Sequence, residues 1–374
     1  MTRPRPPRGL AAALVALLLV ALAACGDDDS AKDAGDADFG CAAPSGDGSD
    51  EAPDAVRLLT HDSFALSDGV LDAFTEATGI DVDVIQGGDA GTVVNQAILT
   101  NGKPQADVLY GIDSTFLSRA LDERLFVAHD AEGLDEVDDA LVLDPDHCVT
   151  PIDYGDVCIN YDKAYFEEHH LEVPRSLDDL TDPAYKDLLV VENPATSSPG
   201  LAFLLATVEA FGEDGWEQWW GALRDDGVEV VDGWEEAYYS SFSGGLGSEG
   251  ERPLVVSYAS SPPAEVVYAD PPVDDAPTGV MDSSCYRQVE FAGILNGTRH
   301  EAAAAELVDF LLSKRVQADV PLSMFVFPAR DDVDLPPEFV RYAATPDDPF
   351  ELAPADIDAN RDDWIERWTD VVLR

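Results

Sequence analysis

Basic side chains are scarce in this chain: 22 Lys and Arg stand against 75 Asp and Glu over 374 residues, a formal net charge of −53. A phosphate backbone demands a basic face, so a nucleic-acid partner is excluded and the expected partners are cations or neutral molecules. Such acidity also suits a saline habitat, where salt shortens the reach of any steering of a cationic ligand. Familiar catalytic signatures are missing too. There is no G-x-S-x-G elbow, no H-E-x-x-H and no P-loop, and His61, Asp62 and Ser63 are consecutive, so they cannot make a triad among themselves. The chain therefore does not read as an enzyme. Close Cys or His pairs at ligand spacing are lacking, which argues against a metal site, and no cofactor is expected. The apolar run Leu10 to Ala24 is too short to span a bilayer, and no internal repeat is visible.

What that run does offer is an address. Arg3, Arg5 and Arg8 precede it, as in an export signal, and it ends Leu22-Ala23-Ala24-Cys25-Gly26, the pattern of a lipoprotein whose acylated first residue would be Cys25. Residues 1–24 are thus read as a signal peptide. Residues 25–54, rich in Asp, Gly, Ala and Ser, are read as a disordered acidic tether, because they carry too little apolar surface to offset the entropy of ordering. The mature chain is expected to be exported and lipid-anchored, at the outer face of the cytoplasmic membrane or in the periplasm. With Cys25 set aside, Cys41, Cys148, Cys158 and Cys285 form an even set in an oxidising compartment, so two disulfides are expected. Three pairings are possible. Cys148 with Cys158, closing a short hairpin-like loop, is favoured, leaving Cys41 for Cys285.

Roughly 320 residues follow the tether, too many for one ordinary core and suited to two lobes with a cleft between them. Strand-like Val56 to His61, a helix Val70 to Thr78 stopped by Gly79, and a strand Ile80 to Ile85 make a βαβ start. A helix from Gly91, a strand Ala106 to Tyr110 and a helix Ser114 to Leu121 continue it. Strands at Leu188 to Glu192, Val228 to Val231 and Leu254 to Tyr258 repeat the alternation, with helices at Pro199 to Phe211 and near Trp234. A strand Gln288 to Leu295, a helix Glu301 to Leu312 and a strand Met324 to Phe327 complete the first lobe. The fold class expected is α/β and two-lobed, each lobe a mainly parallel sheet flanked by helices, with the ligand cleft between. Lobe 1 takes 55–155, lobe 2 takes 156–280, and 281–374 returns to lobe 1 and ends in helices. Two crossing strands, near Cys158 and near Arg287, would form the hinge. In the last helix, from Pro354, residues Ile357, Trp364, Ile365, Trp368 and Val372 share one face, which marks them as core.

Four segments place polar or aromatic residues just beyond a predicted strand, where open α/β sheets bind ligands. They are His61 to Phe64, Thr196 to Gly200, Gly233 to Tyr238 and Ser257 to Pro262. In the second, Ser198 as N-cap and Pro199 at the first helical position would leave free N–H groups facing the cleft, a place for an anionic oxygen. Trp234, Tyr258 and Phe325 could form aromatic walls, against which a desolvated quaternary cation gains ~2 kcal/mol. Asp62 or Asp89 could then accept from an exocyclic amine.

These segments resemble the thiamine-binding periplasmic proteins, which have the type II, transferrin-like solute-binding fold. The resemblance runs through Thr60 to Ala65, Ala106 to Asp113, Asp153-Tyr154-Gly155, Asn193 to Leu201, Gly233 to Tyr238, Ser257 to Pro262, Phe327-Pro328 and the tail Arg361 to Trp368, in the family's order. It implies a monomeric substrate-binding protein that delivers thiamine or its phosphates to an ABC transporter permease. By motif match it assigns ligand contacts to Trp234, Tyr258, Ser197 and Asp62; Ser63, Asp89 and Phe325 complete the expected site. His61 stands where a Tyr is usual, Phe325 where a Trp is usual and Ala264 where a second Tyr follows the turn, so the aromatic cage is thinned. The rival reading is a ferric-iron binding protein of the same fold, using the adjacent phenols of Tyr238 and Tyr239 as hard oxygen ligands.

Overall fold

Short aliphatic runs separated by helices dictate parallel pairing here, because a parallel neighbour can be reached only through a crossover. The structure, a computed structural model, describes residues 40–44 and 53–374. The expected signal peptide, the lipidation site Cys25 and most of the expected tether lie outside the described residues. Strand β1 (Ala55–Thr60) leads through the helix Val70–Thr78 to β2 (Asp81–Gln86), and the helix Ala90–Leu99 leads on to β3 (Val108–Asp113). The first helix ends as expected, at a Gly79 whose φ of 77° favours glycine and whose N–H donates to the Thr75 carbonyl at 2.8 Å. The remaining strands are β4 (Phe126–Val127), β5 (Thr150–Asp162), β6 (Leu189–Glu192), β7 (Glu229–Val231), β8 (Leu254–Tyr258), β9 (Thr278–Leu295) and β10 (Phe327–Pro328).

They form one mixed sheet in the order β2-β1-β3-β9-β5-β8-β6-β7, with β10 beside β5 and β4 beside β9. Two parallel triplets, β2-β1-β3 and β8-β6-β7, are joined by β9 and β5, which run antiparallel to each other and to the triplet strands they meet. The expectation of mainly parallel sheets holds for the triplets and is corrected at the centre. There the strand expected at Gln288 to Leu295 is the second half of the 18-residue β9, and β5 replaces the hairpin-like loop expected at Cys148 to Cys158. At the other end, the strand expected at Met324 to Phe327 reduces to Phe327–Pro328, because Phe325 takes the left-handed backbone, φ 57°.

The disulfide pairing is corrected by the same strand. A chain rising ~3.3 Å per residue sets Cys148 and Cys158 roughly 25–30 Å apart, far beyond the reach of one bond. The bonds run instead from Cys41 to Cys148, with Cα atoms 5.1 Å apart, and from Cys158 to Cys285, with Cα atoms 4.1 Å apart. The first holds residues 40–44, part of the expected tether, against β4: Ala42 donates its N–H to the Phe126 carbonyl at 2.7 Å and is buried in the main core. The second ties β5 to β9 where their register shifts, Val157 facing Tyr286 and Ile159 facing Met281.

The C-terminal helix Pro354–Val372 buries Ile357, Trp364, Trp368 and Val372 as its spacing predicts, and Ile365 packs partly buried beside them. Trp368 meets Trp220 edge to face at 5.5 Å, on a helix Trp216–Asp225 that the alternation pattern does not disclose. Each such indole takes about 200 Å² out of water, worth roughly 5 kcal/mol before ordering costs.

Candidate ligand-binding site

The carboxyl ends of β1, β6, β7 and β8, with the turn before β10, surround a cavity of about 740 Å³. That size suits a small molecule, and the position is the one open α/β sheets reserve for ligands. Of the expected contacts, Asp62, Ser63, Asp89, Trp234, Tyr258 and Phe325 line it; Ser197 does not. The cap is one residue earlier than expected. Ser197 has extended backbone and accepts from the Gly200 N–H at 3.4 Å, so the helix runs Ser198–Phe211 with Pro199 second. A capping side chain turns back onto its own helix, which buries Ser197 and leaves Ser198 at the cavity.

One wall is aromatic. Trp234 opens a single helical turn, Trp234–Glu236, that widens into a π turn, Ala237–Ser241. Its ring stacks on Tyr238 at 5.1 Å and 23°, and meets the edges of Tyr239 at 5.5 Å and Tyr258 at 6.5 Å. Hydrogen bonds lock the rings: the indole N–H donates to Ser257 Oγ at 2.9 Å, and the Tyr258 hydroxyl donates to Gln288 Oε1 at 2.9 Å. Tyr258 lies over Gly155, where a Cβ would come within 2.9 Å of the ring. Phe325 stands with Tyr268, ring centroids 5.5 Å apart. Tyr239 and Tyr268 add two phenol rings to the lining.

Below the rings lies a buried acidic floor. His61 Nε2 is 3.4 Å from Glu290 Oε1, and the Tyr110 hydroxyl lies 2.8 Å from Glu290 and 2.5 Å from Asp153. One phenol proton can serve only one carboxylate. Burial, reinforced by the Glu290 charge, pushes Asp153 well above the usual carboxylate range. Burial is the largest influence on both groups and opposes a charge on each, yet His61 together with the Tyr110 and Asp153 hydrogen bonds leaves the Glu290 pKa lowered, and Glu290 together with the Asp89 and Asp62 charges leaves the His61 pKa raised. The two form an ion pair at the edge of the cavity.

Asp89 departs from its expected role. It precedes the helix Ala90–Leu99 without capping it; its carboxylate reaches across the cavity instead. Oδ1 accepts from the Ser198 N–H and Oδ2 from the Trp234 N–H, each at 3.1 Å, so both oxygens are committed within the protein. Burial raises its pKa against these bonds. The approach requires glycine at 91, where a Cβ would sit 2.7 Å from the Thr196 carbonyl oxygen. Among the described residues the lining holds no Lys or Arg, whereas Asp62, Asp89, Asp232, Glu235, Glu236 and Glu290 all contribute.

His61, Glu290, Ser198, Tyr239 and Tyr268 also line the cavity and were not among the expected contacts. A glutamate inside the apolar run Val289 to Leu295 and a second tyrosine in the Trp234 turn were the available signals. As for the iron reading, the Tyr238 hydroxyl donates to Glu265 at 2.9 Å, its ring is 80° from that of Tyr239, and Tyr239 is half exposed.

Comparison with known proteins finds similar sequences and similar folds. A family model described as bacterial extracellular solute-binding protein matches residues 103–260. The thiamine-binding periplasmic protein of Salmonella typhimurium is 29% identical over 344 residues, covering 89% of this chain and 97% of its own length. That of Brucella suis is 26% identical over 325 residues, covering 85% and 92%. A solved periplasmic thiamin binding protein superposes with a TM-score of 0.74 at 27% identity, covering 87% of this chain and 98% of that one. Iron-bound HitA from Pseudomonas aeruginosa, at a TM-score of 0.66 and 21% identity over 85% of this chain and 99% of that one, shares the fold alone.

Proposed function

We propose that this chain, a homologue of the thiamine-binding periplasmic proteins with the open α/β fold of periplasmic binding proteins, captures thiamine outside the cytoplasm as the substrate-binding component of an ABC importer. One observation carries the reading: the cavity sets indole and phenol rings beside a lining whose charged groups, His61 apart, are all carboxylates. Thiamine is a flat heterocycle with a fixed positive charge on its thiazolium ring and an exocyclic amine on its pyrimidine. The rings stabilise such a cation once water leaves, and Asp62, whose Oδ1 accepts from the Gly88 N–H at 3.0 Å, can accept from the amine through its other oxygen. The role is capture without chemistry.

In the same reading the chain is a monomer held to the membrane through an acylated Cys25. Residues 55–155 with 281–374 form one lobe and 156–280 the other, and β5 and β9 serve as the hinge. Closure would desolvate the rings only around a ligand and present the closed form to the permease. The test is a titration after unfolding, dialysis and refolding have stripped any carried ligand. Thiamine should quench tryptophan fluorescence and saturate at one equivalent. A protein indifferent to thiamine that turned salmon-pink with ferric iron would belong to the rival reading.

A further inference from the structure

The strand ends opposite the ligand cavity carry a second hollow, of different charge. The amino ends of β1 and β3 and the loop beyond β9 enclose about 780 Å³, with Arg57, Lys103 and Arg299 on the wall and Asp107 as the acid among the described lining residues. Basic residues gather here in a chain that has 22 of them among 374, whereas the described lining of the ligand cavity has none. The frame of the hollow is well defined. A Cβ on Gly297 would come within 2.5 Å of the Gly102 backbone, so the loop after β9 lies directly on the loop before β3. The Asn296 side-chain N–H donates to Asn101 Oδ1 at 2.9 Å across the same junction. Asp107, buried, ties in the rest: Oδ2 accepts from the Arg57 N–H at 2.9 Å, and Oδ1 accepts from the Thr298 hydroxyl at 2.6 Å and lies 3.2 Å from His300 Nδ1.

The charges on this wall are left unanswered. Both Asp107 oxygens are committed within the protein, and of the three cations only Arg57 pairs with it, Nε lying 3.7 Å from Oδ2. Lys103 and Arg299 are exposed and form no ion pair among the described residues, although 75 acids stand against 22 bases; Arg367, by contrast, gathers Glu213, Glu217 and Asp363. Asp83, beside Arg57 in register on β2, stands outside the lining. Glu301 in the first turn of the helix Glu301–Leu311 already answers the positive end of that helix, so the side-chain cations and not the helix start make the site. Like charges set around one space repel until an oxyanion enters. Phosphate suits them best, because guanidinium groups hold its oxygens in pairs.

We propose that this hollow is an anion site that takes a phosphate group, with Arg57, Lys103 and Arg299 as the residues that hold it. The site is separate from thiamine capture and goes beyond it. The group could come from free phosphate or from the headgroup of an anionic phospholipid. The surroundings bear on the second source: β4 pairs with the last residues of β9 and holds Ala42, so the amino-terminal segment joins the body beside the hollow. In the reading above, the mooring residue Cys25 lies fifteen residues before Gly40, a span of at most roughly 50 Å, which leaves lipid phosphates within reach.

Calorimetric titration of the full-length protein, saturated with thiamine so that the ligand cavity is filled, tests the proposal at low ionic strength. Inorganic phosphate is one probe; dihexanoyl phosphatidylglycerol, kept below micelle formation, is the other. At least one of them should bind at millimolar concentration or below, and Lys103→Glu/Arg299→Glu should weaken that binding roughly tenfold or more with thiamine affinity unchanged. Both side chains are exposed, and Lys103→Gln/Arg299→Gln, which removes the charges without reversing them, should fall between. Tighter binding of phosphatidylglycerol than of phosphate assigns the site to a headgroup, and the reverse order assigns it to the free anion. Failure of both probes, affinities unmoved in the variants, or binding of an oligoglutamate peptide in place of either probe would overturn the proposal. A protein that ignores thiamine yet takes phosphate through Lys103 and Arg299 would sink the function proposed above and leave this site standing.

Discussion

Trp234 and Ser257 are joined by a 2.9 Å hydrogen bond from indole N–H to hydroxyl, and this bond sets the plane in which the ring faces the cavity. Ser257 is in turn 2.9 Å from the Ser261 hydroxyl, so the ring is oriented by a chain of two serines at the end of β8. Trp234→Ala should weaken thiamine binding by tenfold or more with an unchanged far-ultraviolet dichroism spectrum. Trp234→Phe keeps an aromatic face but loses the anchor, and should fall between the two. Unaltered affinity in Trp234→Ala would remove the residue from the site.

Gly91 lets the helix Ala90–Leu99 lie close against the Thr196 carbonyl, just outside the cavity lining. A Cβ there would meet the Thr196 carbonyl oxygen at 2.7 Å, and backbone cannot swing aside as a side chain can. Gly91→Val should therefore wedge the walls apart, stretch the Asp89 bonds and lower thiamine affinity roughly tenfold through a slower or less complete closure. Calorimetry is the check; an affinity equal to that of the parent protein would show that the approach is not needed for binding.

Stability should fall as pH rises through neutrality. Burial raises Asp113 to about 6, and burial raises Glu265 to about 7 despite the Tyr238 hydrogen bond. Both folded values exceed those of the unfolded chain, about 3.9 and 4.3. Their contribution is thus fully present only below about pH 4 and is lost as pH climbs through 6 and 7, since the folded form must then hold buried charges. The melting temperature should decline between pH 5 and pH 8, and Glu265→Gln should flatten the upper part of that decline. A melting temperature that rises steadily over this range would contradict the account.

The disulfide pattern is open to direct reading. Non-reducing peptide mapping should recover Cys41 joined to Cys148 and Cys158 joined to Cys285. Replacing Cys158 and Cys285 together by serine should cost about 2–5 kcal/mol in denaturant unfolding, because the link closes a loop of more than a hundred residues. Recovery of a Cys148–Cys158 peptide would refute the strand assignment of β5 as well.

Much of the site was legible because ligand segments follow strands, and strands followed by helices announce themselves by period. His61 to Phe64, the Trp234 turn and Tyr258 were placed this way. The central ribbon was not legible, and the reason is physical. β5 carries Pro151, Gly155 and the buried polar residues Asp153, Asp156 and Asn160, a composition that reads as turn. Those polar groups find partners distant in sequence: Arg287 lies 2.5 Å from Asp156, and the Asn160 side-chain N–H donates to the Tyr258 carbonyl at 3.0 Å. The true role of Asp89 was hidden for the same reason, since its partners Ser198 and Trp234 lie more than a hundred residues on.

The bond between Cys41 and Cys148 has a mechanical meaning. A pull on residues 40–44 is handed by the sulfur bridge to the residue two places ahead of β5, bypassing β1. Force entering there runs along β5, across the direction of its rungs to β9 and β8, so many rungs resist at once instead of unzipping singly. Such a load leaves the sheet in register.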